Sequence, residues 1–412
     1  MLSESFYPSD IRIRQEALFL TAHGHEVSVM ALKEKSQPFC EVIDGVHVYR
    51  IPKIELFKYG KQARVENPAY WQKMLTLGKA ALGYGFEYAY FTSACMVFSI
   101  AVYRLARFEV IHTHNPPDSL FMVAFLYKLF GKRFVFDHHD LTPDLFVEKY
   151  GRRGGVIYRL LLLMEKISCQ MADFVIATNA SYKKIEARRC GVPTGKIYIV
   201  RNGPNLNEIK IALPIDGLKK KGQKILCYLG AINNQDGVDY LIRIMQRLIF
   251  VYGQHQYRLL IVGDGDYLPE IVRQTRQMAL EPFVIFTGFV SERKMLNRYL
   301  SSADMFMDAA PLSFLNDSST FIKHMEYMVF GKPILSFSLK ESMVTLGDAG
   351  VFVPPNDIDL YAKKIMEISA DPELQKRLGV RAQQRVSGLR WEHVARPLSK
   401  LYERINSHRH GN

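Results

Sequence analysis

The chain has 412 residues, 48% apolar and 23% charged, a composition of globular proteins and a length that predicts two domains. A net charge of +13 favours an anionic partner, but Lys and Arg are spread thinly, and the lack of a dense basic run with interleaved aromatics excludes a nucleic-acid platform. Cys40, Cys95, Cys169, Cys190 and Cys227 are far apart, odd in number and without a Cys-x-x-Cys pair, which implies free thiols, a reducing compartment and no zinc site.

The first residues carry charges and no apolar run, so no signal peptide is expected. Tyr7-Pro8-Ser9-Asp10 is a turn signal, Ile13 to Thr21 reads as a helix ended by Gly24, and Glu26 to Leu32 and Val46 to Ile51 read as strands. Helical patterns run from about Tyr70 to Arg107. Within them Phe86 to Ala106 nears the length of a bilayer span, but Glu87 and Arg104 sit near its ends, so a buried or membrane-resting helix is expected. Strand Glu109 to Thr113 leads to His114-Asn115-Pro116-Pro117-Asp118, helix Ser119 to Phe130 follows, and strand Arg133 to Phe136 leads to Asp137-His138-His139-Asp140. Helix Tyr158 to Ala172, strand Phe174 to Thr178, helix Ser181 to Cys190 and strand Ile197 to Val200 complete a first series, with a linker across roughly 204 to 222.

A second series runs through strand Lys224 to Leu229, helix Val238 to Val251, strand Tyr257 to Val262, helix Leu268 to Ala279 and strand Phe283 to Phe286. Helix Lys294 to Ser301 and strands Met305 to Asp308, Pro333 to Phe337 and Gly350 to Val353 follow, then helices to the end. Strands alternating with helices predict two doubly wound parallel sheets, whose ligands bind at the carboxyl ends of the strands. Loops after three of the second-series strands begin with Gly230, Gly263 and Gly288, where a backbone can approach a ligand closely. No Gly-x-Gly-x-x-Gly follows a first strand, so this is not the dinucleotide fingerprint.

Ser313 to Pro333 predicts a helix that is capped near Asn316-Asp317-Ser318-Ser319-Thr320 and stopped at Gly331. Phe321, Ile322, Met325, Met328 and Val329 are expected to face a core, and Ser319, Lys323, Glu326 and Phe330 share another face. Free N–H groups at the helix start, a cation one turn in and a carboxylate beyond it suit a phosphate and a ribose diol. An ordinary capped helix with a solvated Lys323–Glu326 pair meets the same pattern.

These stretches carry a resemblance. Tyr7-Pro8-Ser9-Asp10-Ile11-Arg12, His112 to Asp118, Asp137 to Asp140, Val200-Arg201-Asn202-Gly203, Val262 to Gly265, Phe286-Thr287-Gly288 and Met325-Glu326-Tyr327-Met328 together resemble the family-4 retaining glycosyltransferases of the two-Rossmann-domain (GT-B) type, along nearly the whole chain. The resemblance implies an N-terminal acceptor domain (1–205), a C-terminal nucleotide-sugar domain (206–385) and a C-terminal helix (386–412) packing back on the first domain. It implies a UDP-sugar donor in preference to GDP, a saccharide or lipid-linked saccharide acceptor, retention of configuration, no cofactor, no catalytic metal and no nucleic-acid partner. Glu326 is expected on the ribose hydroxyls, Gly288 to Val290 along the base, Gly230 and Gly263 lining the donor, and His139 near the transferred sugar. The basic first domain and Phe86 to Ala106 imply a cytoplasmic protein in peripheral contact with the anionic inner face of a membrane.

The chain departs from the family pattern at three places. The first carboxylate of Glu-x7-Glu falls on Ser318, which passes sugar recognition to Asp317 or Asn316. The diphosphate-binding Arg and Lys fall on Ala231 and Asp236, which leaves phosphate to the N–H groups of Ser318, Ser319 and Thr320 and to Lys323. Only five residues precede Phe6, so the central first strand is expected to be truncated, to begin upstream or to be a stub of Met1 to Ser5. A sugar-nucleotide epimerase on the same fold and a non-catalytic nucleotide-sugar-binding subunit are the alternatives.

Overall fold

The structure, a computed structural model, describes residues 1–54, 70–151, 153–206 and 208–407, with the side chains of 70–82 and 84 outside that description. The chain divides into two compact units, Met1–Arg201 with Ala395–Asn412, and Asn202–Val394. Residues 408–412 of the expected C-terminal helix lie outside the described residues.

The first unit runs β1 (Leu2–Phe6), α1 (Ile11–Ala22), β2 (Ser28–Lys33), β3 (Cys40–Ile43), β4 (Val46–Pro52), α2 (Tyr70–Ala106), β5 (Val110–His114), α3 (Phe121–Lys128), β6 (Arg133–His138), α4 (Thr142–Tyr150), α5 (Val156–Met171), β7 (Phe174–Ala177), α6 (Ala180–Arg188) and β8 (Ile197–Ile199). Its eight strands lie in the order β3-β4-β2-β1-β5-β6-β7-β8, all parallel except β3, which is antiparallel to β4. The short residue run before Phe6 therefore forms a central strand, and the Met1 amino group donates to the Ser28 carbonyl at 2.6 Å. Pairing of β1 with β5 is confined to Leu2 opposite Thr113. Below it, a cavity of about 390 Å³ is lined by Met1, Ser28, Val110, Ile111 and Tyr402 among others.

The second unit runs β9 (Lys224–Leu229), α7 (Val238–Gln246), β10 (Tyr257–Val262), α8 (Leu268–Gln277), β11 (Val284–Phe286), α9 (Arg293–Ser301), β12 (Met305–Asp308), α10 (Phe314–Ser318), α11 (Ile322–Val329), β13 (Ile334–Phe337), α12 (Lys340–Leu346), β14 (Gly350–Val353), α13 (Ile358–Ala370), α14 (Pro372–Gly388) and α15 (Trp391–Val394). Its six parallel strands lie in the order β11-β10-β9-β12-β13-β14. Alternate strand residues feed two cores, as a sheet covered on both faces requires. Leu226, Leu259, Ile261 and Met307 pack with Leu241 and Met245 of α7 and Tyr361 of α13. Cys227, Leu260, Val262 and Phe306 pack with Leu300 of α9, Met325 and Met328 of α11 and Ala382 of α14. The chain then returns to the first unit as α16 (Arg396–Ser407), where Tyr402 meets His112 with 3.0 Å between the hydroxyl and Nδ1.

Candidate functional site

In the second unit the strand ends are tied to one another. Gly230 N–H donates to the Val262 carbonyl and Gly263 N–H to the Gly288 carbonyl, each at 3.1 Å. A Cβ on Gly263 would stand 1.9 Å from the Gly230 carbonyl oxygen, so loop-on-loop packing requires glycine there. Gly288 differs: its φ is +69° and nothing stands within 4 Å of where a Cβ would be, which leaves the adjoining backbone approachable. Val290 is partly buried against the core, while neighbouring Phe289 is exposed.

The expected single helix from Ser318 is two helices. Ser313 caps the short α10, its Oγ accepting from Asn316 N–H at 3.1 Å, and α11 begins four residues later than expected, at Ile322, with Phe321 in the cap position. Ser318 ends α10, Ser319 donates its Oγ proton to the Leu315 carbonyl at 2.7 Å, and Thr320 lies in the turn, so these three do not form a helix start. Asn316 is buried and its amide donates to the Gln235 and Pro311 carbonyls, both at 2.9 Å, which makes it a tie between loops. Asp317 accepts from Lys340 N–H at 2.8 Å. On α11 the core face is His324, Met325, Tyr327 and Met328, and Ile322 points outward against expectation.

Lys323 and Glu326 are not a solvated pair. The Lys323 ammonium is nearly buried, 3.1 Å from the Tyr228 hydroxyl and 3.5 Å from Asp308, and a Cβ on Gly230 would stand 3.3 Å from its Cε and 3.4 Å from its Nζ. Burial alone would lower its pKa, but Asp308 and Asp236 outweigh it and raise the pKa above the ordinary lysine value. Asp308 is held down at about 2: burial opposes this, and Lys323 and His324, whose Nε2 lies at 2.7 Å, prevail. Glu326 is buried and meets Arg293 at 3.2 Å; burial raises its pKa and Arg293 opposes the rise. Arg293 is the residue that sequence reasoning missed, because a first helical residue after an irregular loop has no periodic signal.

Two Asp-x-Asp triplets occur in the chain, Asp264-Gly265-Asp266 and Asp357-Ile358-Asp359. In the first, Asp264 accepts from Gly265 N–H at 2.8 Å. In the second, Asp357 caps α13 through Leu360 N–H at 2.9 Å, and Asp359 stands 3.4 Å from Arg247.

In the first unit, β5 and β6 end side by side. Asn115 binds the end of β6 from below: its side-chain oxygen accepts from His139 N–H at 2.9 Å and Asp140 N–H at 3.1 Å, and its amide donates to Asp118 and to the Asp140 carbonyl. His138 points inward, between Glu165 and Glu186 at 3.3 and 3.1 Å. His139 retains some exposure, with Nδ1 3.6 Å from Asp137. Burial lowers the His139 pKa, and Asp137 more than compensates, so the ring holds its proton above the usual histidine range.

Beneath it lies a buried polar cluster drawn mainly from three of the stretches that carry the resemblance, and their pairing is visible only in the fold. Arg12 grips Asp137 through two hydrogen bonds, at 2.7 and 2.8 Å, and meets Glu16 at 3.1 Å. Asp137 stays ionised: burial opposes that charge, and Arg12 holds the pKa well below the usual range. Burial and the Asp137 charge push the Glu16 pKa well above the usual carboxylate range. Glu16, His112, His114 and Asp137 each offer a donor atom, all within 4.8 Å, a spacing that a metal ion could use. Arg12 already supplies the positive charge there, so the set reads as a structural anchor for the β5 and β6 ends.

The family model of group 1 glycosyl transferases matches residues 223–371, and that of the glycosyl transferase 4-like domain matches residues 11–203. An uncharacterized glycosyltransferase of Methanocaldococcus jannaschii is 23% identical over 93% of this chain and 91% of its own. The phosphatidyl-myo-inositol mannosyltransferase of Mycolicibacterium smegmatis is 26% identical over 73% of this chain and 72% of its own. The crystal structure of Anabaena HepE in complex with UDP-glucose superposes with a TM-score of 0.66 at 14% identity, covering 98% of both chains. Two parallel-sheet units, with both family matches on them, make the chain a member of the family-4 glycosyltransferases of the GT-B type.

Proposed function

We propose that the chain transfers a sugar from a UDP-sugar to a hydroxyl of a saccharide or lipid-linked saccharide, with retention at the anomeric carbon and without a metal. The observation that carries this reading is on α11, where a buried, charged Lys323 lies against the Gly230 loop one turn before a buried Glu326. Glu326, oriented by Arg293, accepts from the ribose hydroxyls, and the backbone at Gly288 to Val290 borders the base. Lys323 and the first N–H groups of α11 meet the diphosphate in place of the absent loop cations. HepE, a protein of the same fold, binds UDP-glucose, which supports the uridine base. The phosphatidyl-myo-inositol mannosyltransferase, by its name, acts on a lipid, which supports a lipid-linked acceptor.

In the transfer the bond from the anomeric carbon to the phosphate oxygen breaks. The acceptor oxygen bonds to that carbon on the same face, and its proton passes to the departing phosphate. Lys323 stabilises the charge that develops on the diphosphate, and His139 donates a ring N–H hydrogen bond to the sugar. Calorimetric titration with UDP, GDP and their sugars tests the donor side. UDP binding that disappears in Glu326→Ala is the expected outcome; a folded wild type that binds no nucleotide overturns the proposal. The anomeric configuration of the product by NMR, and turnover with a chelator present, test retention and metal independence.

A further inference from the structure

The first unit carries an apolar outer face. Helix α2 packs on α3 and α3 on α5. Each turns one side to the unit's interior: Phe91, Cys95 and Val102 of α2, Val123 and Tyr127 of α3, and Ser168 and Cys169 of α5 are buried. The opposite sides should be polar if they met only water. Instead Val97 and Ile100 of α2, Phe125 of α3, Leu129 just beyond it, and Val156 and Leu160 of α5 are exposed by 48–83%. Gly85–Ala106 is long and apolar enough to cross a bilayer, with 28% of its most apolar window buried, yet it belongs to this helical layer. Single exposed apolar residues are ordinary; a run of them across three adjoining helices marks a docking surface.

We infer that this α2–α3–α5 face docks on the surface of an anionic lipid bilayer, inserting its apolar side chains while its cations meet the headgroups. The charges select this occupant. Arg104, Arg159 and Lys166 are exposed on the same helices, Arg107 follows α2, and Arg133 beyond α3 is paired with Asp173 at 3.5 Å. Among the described residues of these helices the acids are Glu87 and Glu165, and Glu165 is buried against His138 and Arg189. A second copy docking by the same face would set these cations against one another, because a two-fold interface brings one patch onto itself. An anionic headgroup layer complements them, and long cationic side chains reach headgroups while their stems stay in the apolar layer. The use of such docking rests on the lipid-linked acceptor proposed above.

The test is co-sedimentation of the full chain with phosphatidylcholine vesicles, with and without phosphatidylglycerol, for wild type, Phe125→Glu, Leu129→Glu and Leu160→Glu. Leu213→Glu, an exposed apolar position outside this face, is the control. Wild type should sediment with the anionic vesicles, and each Glu variant should bind about tenfold less or weaker still, since losing insertion of one such side chain costs on the order of 1.5 kcal/mol or more. Arg104→Gln with Arg159→Gln should lose the preference for the anionic vesicles, and high salt should weaken binding. Wild type that ignores both vesicles, or Glu variants that bind as wild type does, overturns the inference. So does a lipid-free dimer that the same variants dissociate. UDP titration of every sample separates the outcomes: intact UDP binding with failed vesicle binding sinks only the surface, and the reverse sinks only the donor site.

Discussion

Replacing Lys323 with Met removes a charge and keeps most of the volume, and the structure fixes what should follow. The ammonium stands 3.5 Å from a fully buried Asp308 and 3.1 Å from the Tyr228 hydroxyl. Breaking a buried pair costs about 3–5 kcal/mol, but Asp308 keeps His324 at 2.7 Å, so a loss of about 1–3 kcal/mol is expected. Donor binding should weaken about ten- to a hundredfold, the worth of a hydrogen bond from a charged group to phosphate. The acid limb should shift as well. Asp308 is lowered to about 2 in the folded protein, so its contribution is present above its unfolded pKa near 3.8 and is lost as pH falls towards 2. Without Lys323 its folded pKa rises, and acid unfolding begins at higher pH. Urea melts at several pH values read the stability, and calorimetry with UDP reads the affinity. Adding Asp308→Asn should recover part of the stability and none of the affinity. A Lys323→Met protein that is folded and binds UDP as wild type does would refute the phosphate assignment.

Gly263→Ala places a methyl 1.9 Å from the Gly230 carbonyl oxygen and should cost about 3 kcal/mol by thermal or urea melts, with nucleotide binding weakened alongside. Asn115→Ala leaves the His139 and Asp140 N–H groups without their acceptor and should cost about 2–4 kcal/mol. In that variant turnover should fall while UDP affinity, read by calorimetry, stays unchanged. His139 has a raised pKa, so its charged contact with Asp137 is complete below about pH 6.5 and is lost as pH rises through the folded value. The stability and turnover of wild type should therefore decline together on the alkaline side; in His139→Gln the turnover decline should be absent from a pH series and the stability decline reduced, because His138, whose pKa is raised against burial by Glu165 and Glu186, still loses its charge there.

The second sheet was legible because its strands are short continuous apolar runs ended by glycine or aspartate. Lys224–Leu229, Tyr257–Val262 and Met305–Asp308 begin and end where the pattern placed them. The start of α11 was not legible for a local reason. Asn316 through Thr320 are all good capping residues, and propensity cannot choose among them. The choice is made by Ser313, which caps α10, and by Asn316, whose amide is held by the Gln235 carbonyl far along the chain. Likewise α4 and α12 have no counterpart among the predicted elements; Thr142-Pro143-Asp144 does carry a helix-start pattern, with Pro in the first turn. The Arg12–Asp137 pair spans 125 positions, and although both windows carry the family resemblance, neither shows that these two side chains meet. Periodicity reports which face is apolar; it says nothing about which buried charges find one another.

On the proposed reading, Lys323 takes the place of the cations absent at Ala231 and Asp236. Asp236 would repel a diphosphate if its carboxylate faced it freely. It is instead folded back into a capping box, its Oδ2 accepting from Asn233 N–H at 2.9 Å, and burial raises its pKa while Lys323 counters. Lys323 approaches the same loop from α11, across from Gly230. The ammonium thus lies against Asp308 and the Tyr228 hydroxyl, and the charge of Asp236 adds to what holds its proton. Those partners offset the cost of keeping a charged lysine buried, and a diphosphate would add to them without requiring a new cation to be desolvated. A cation held in place beforehand loses little side-chain freedom on binding, so one lysine on a rigid helix can stand in for two on a loop.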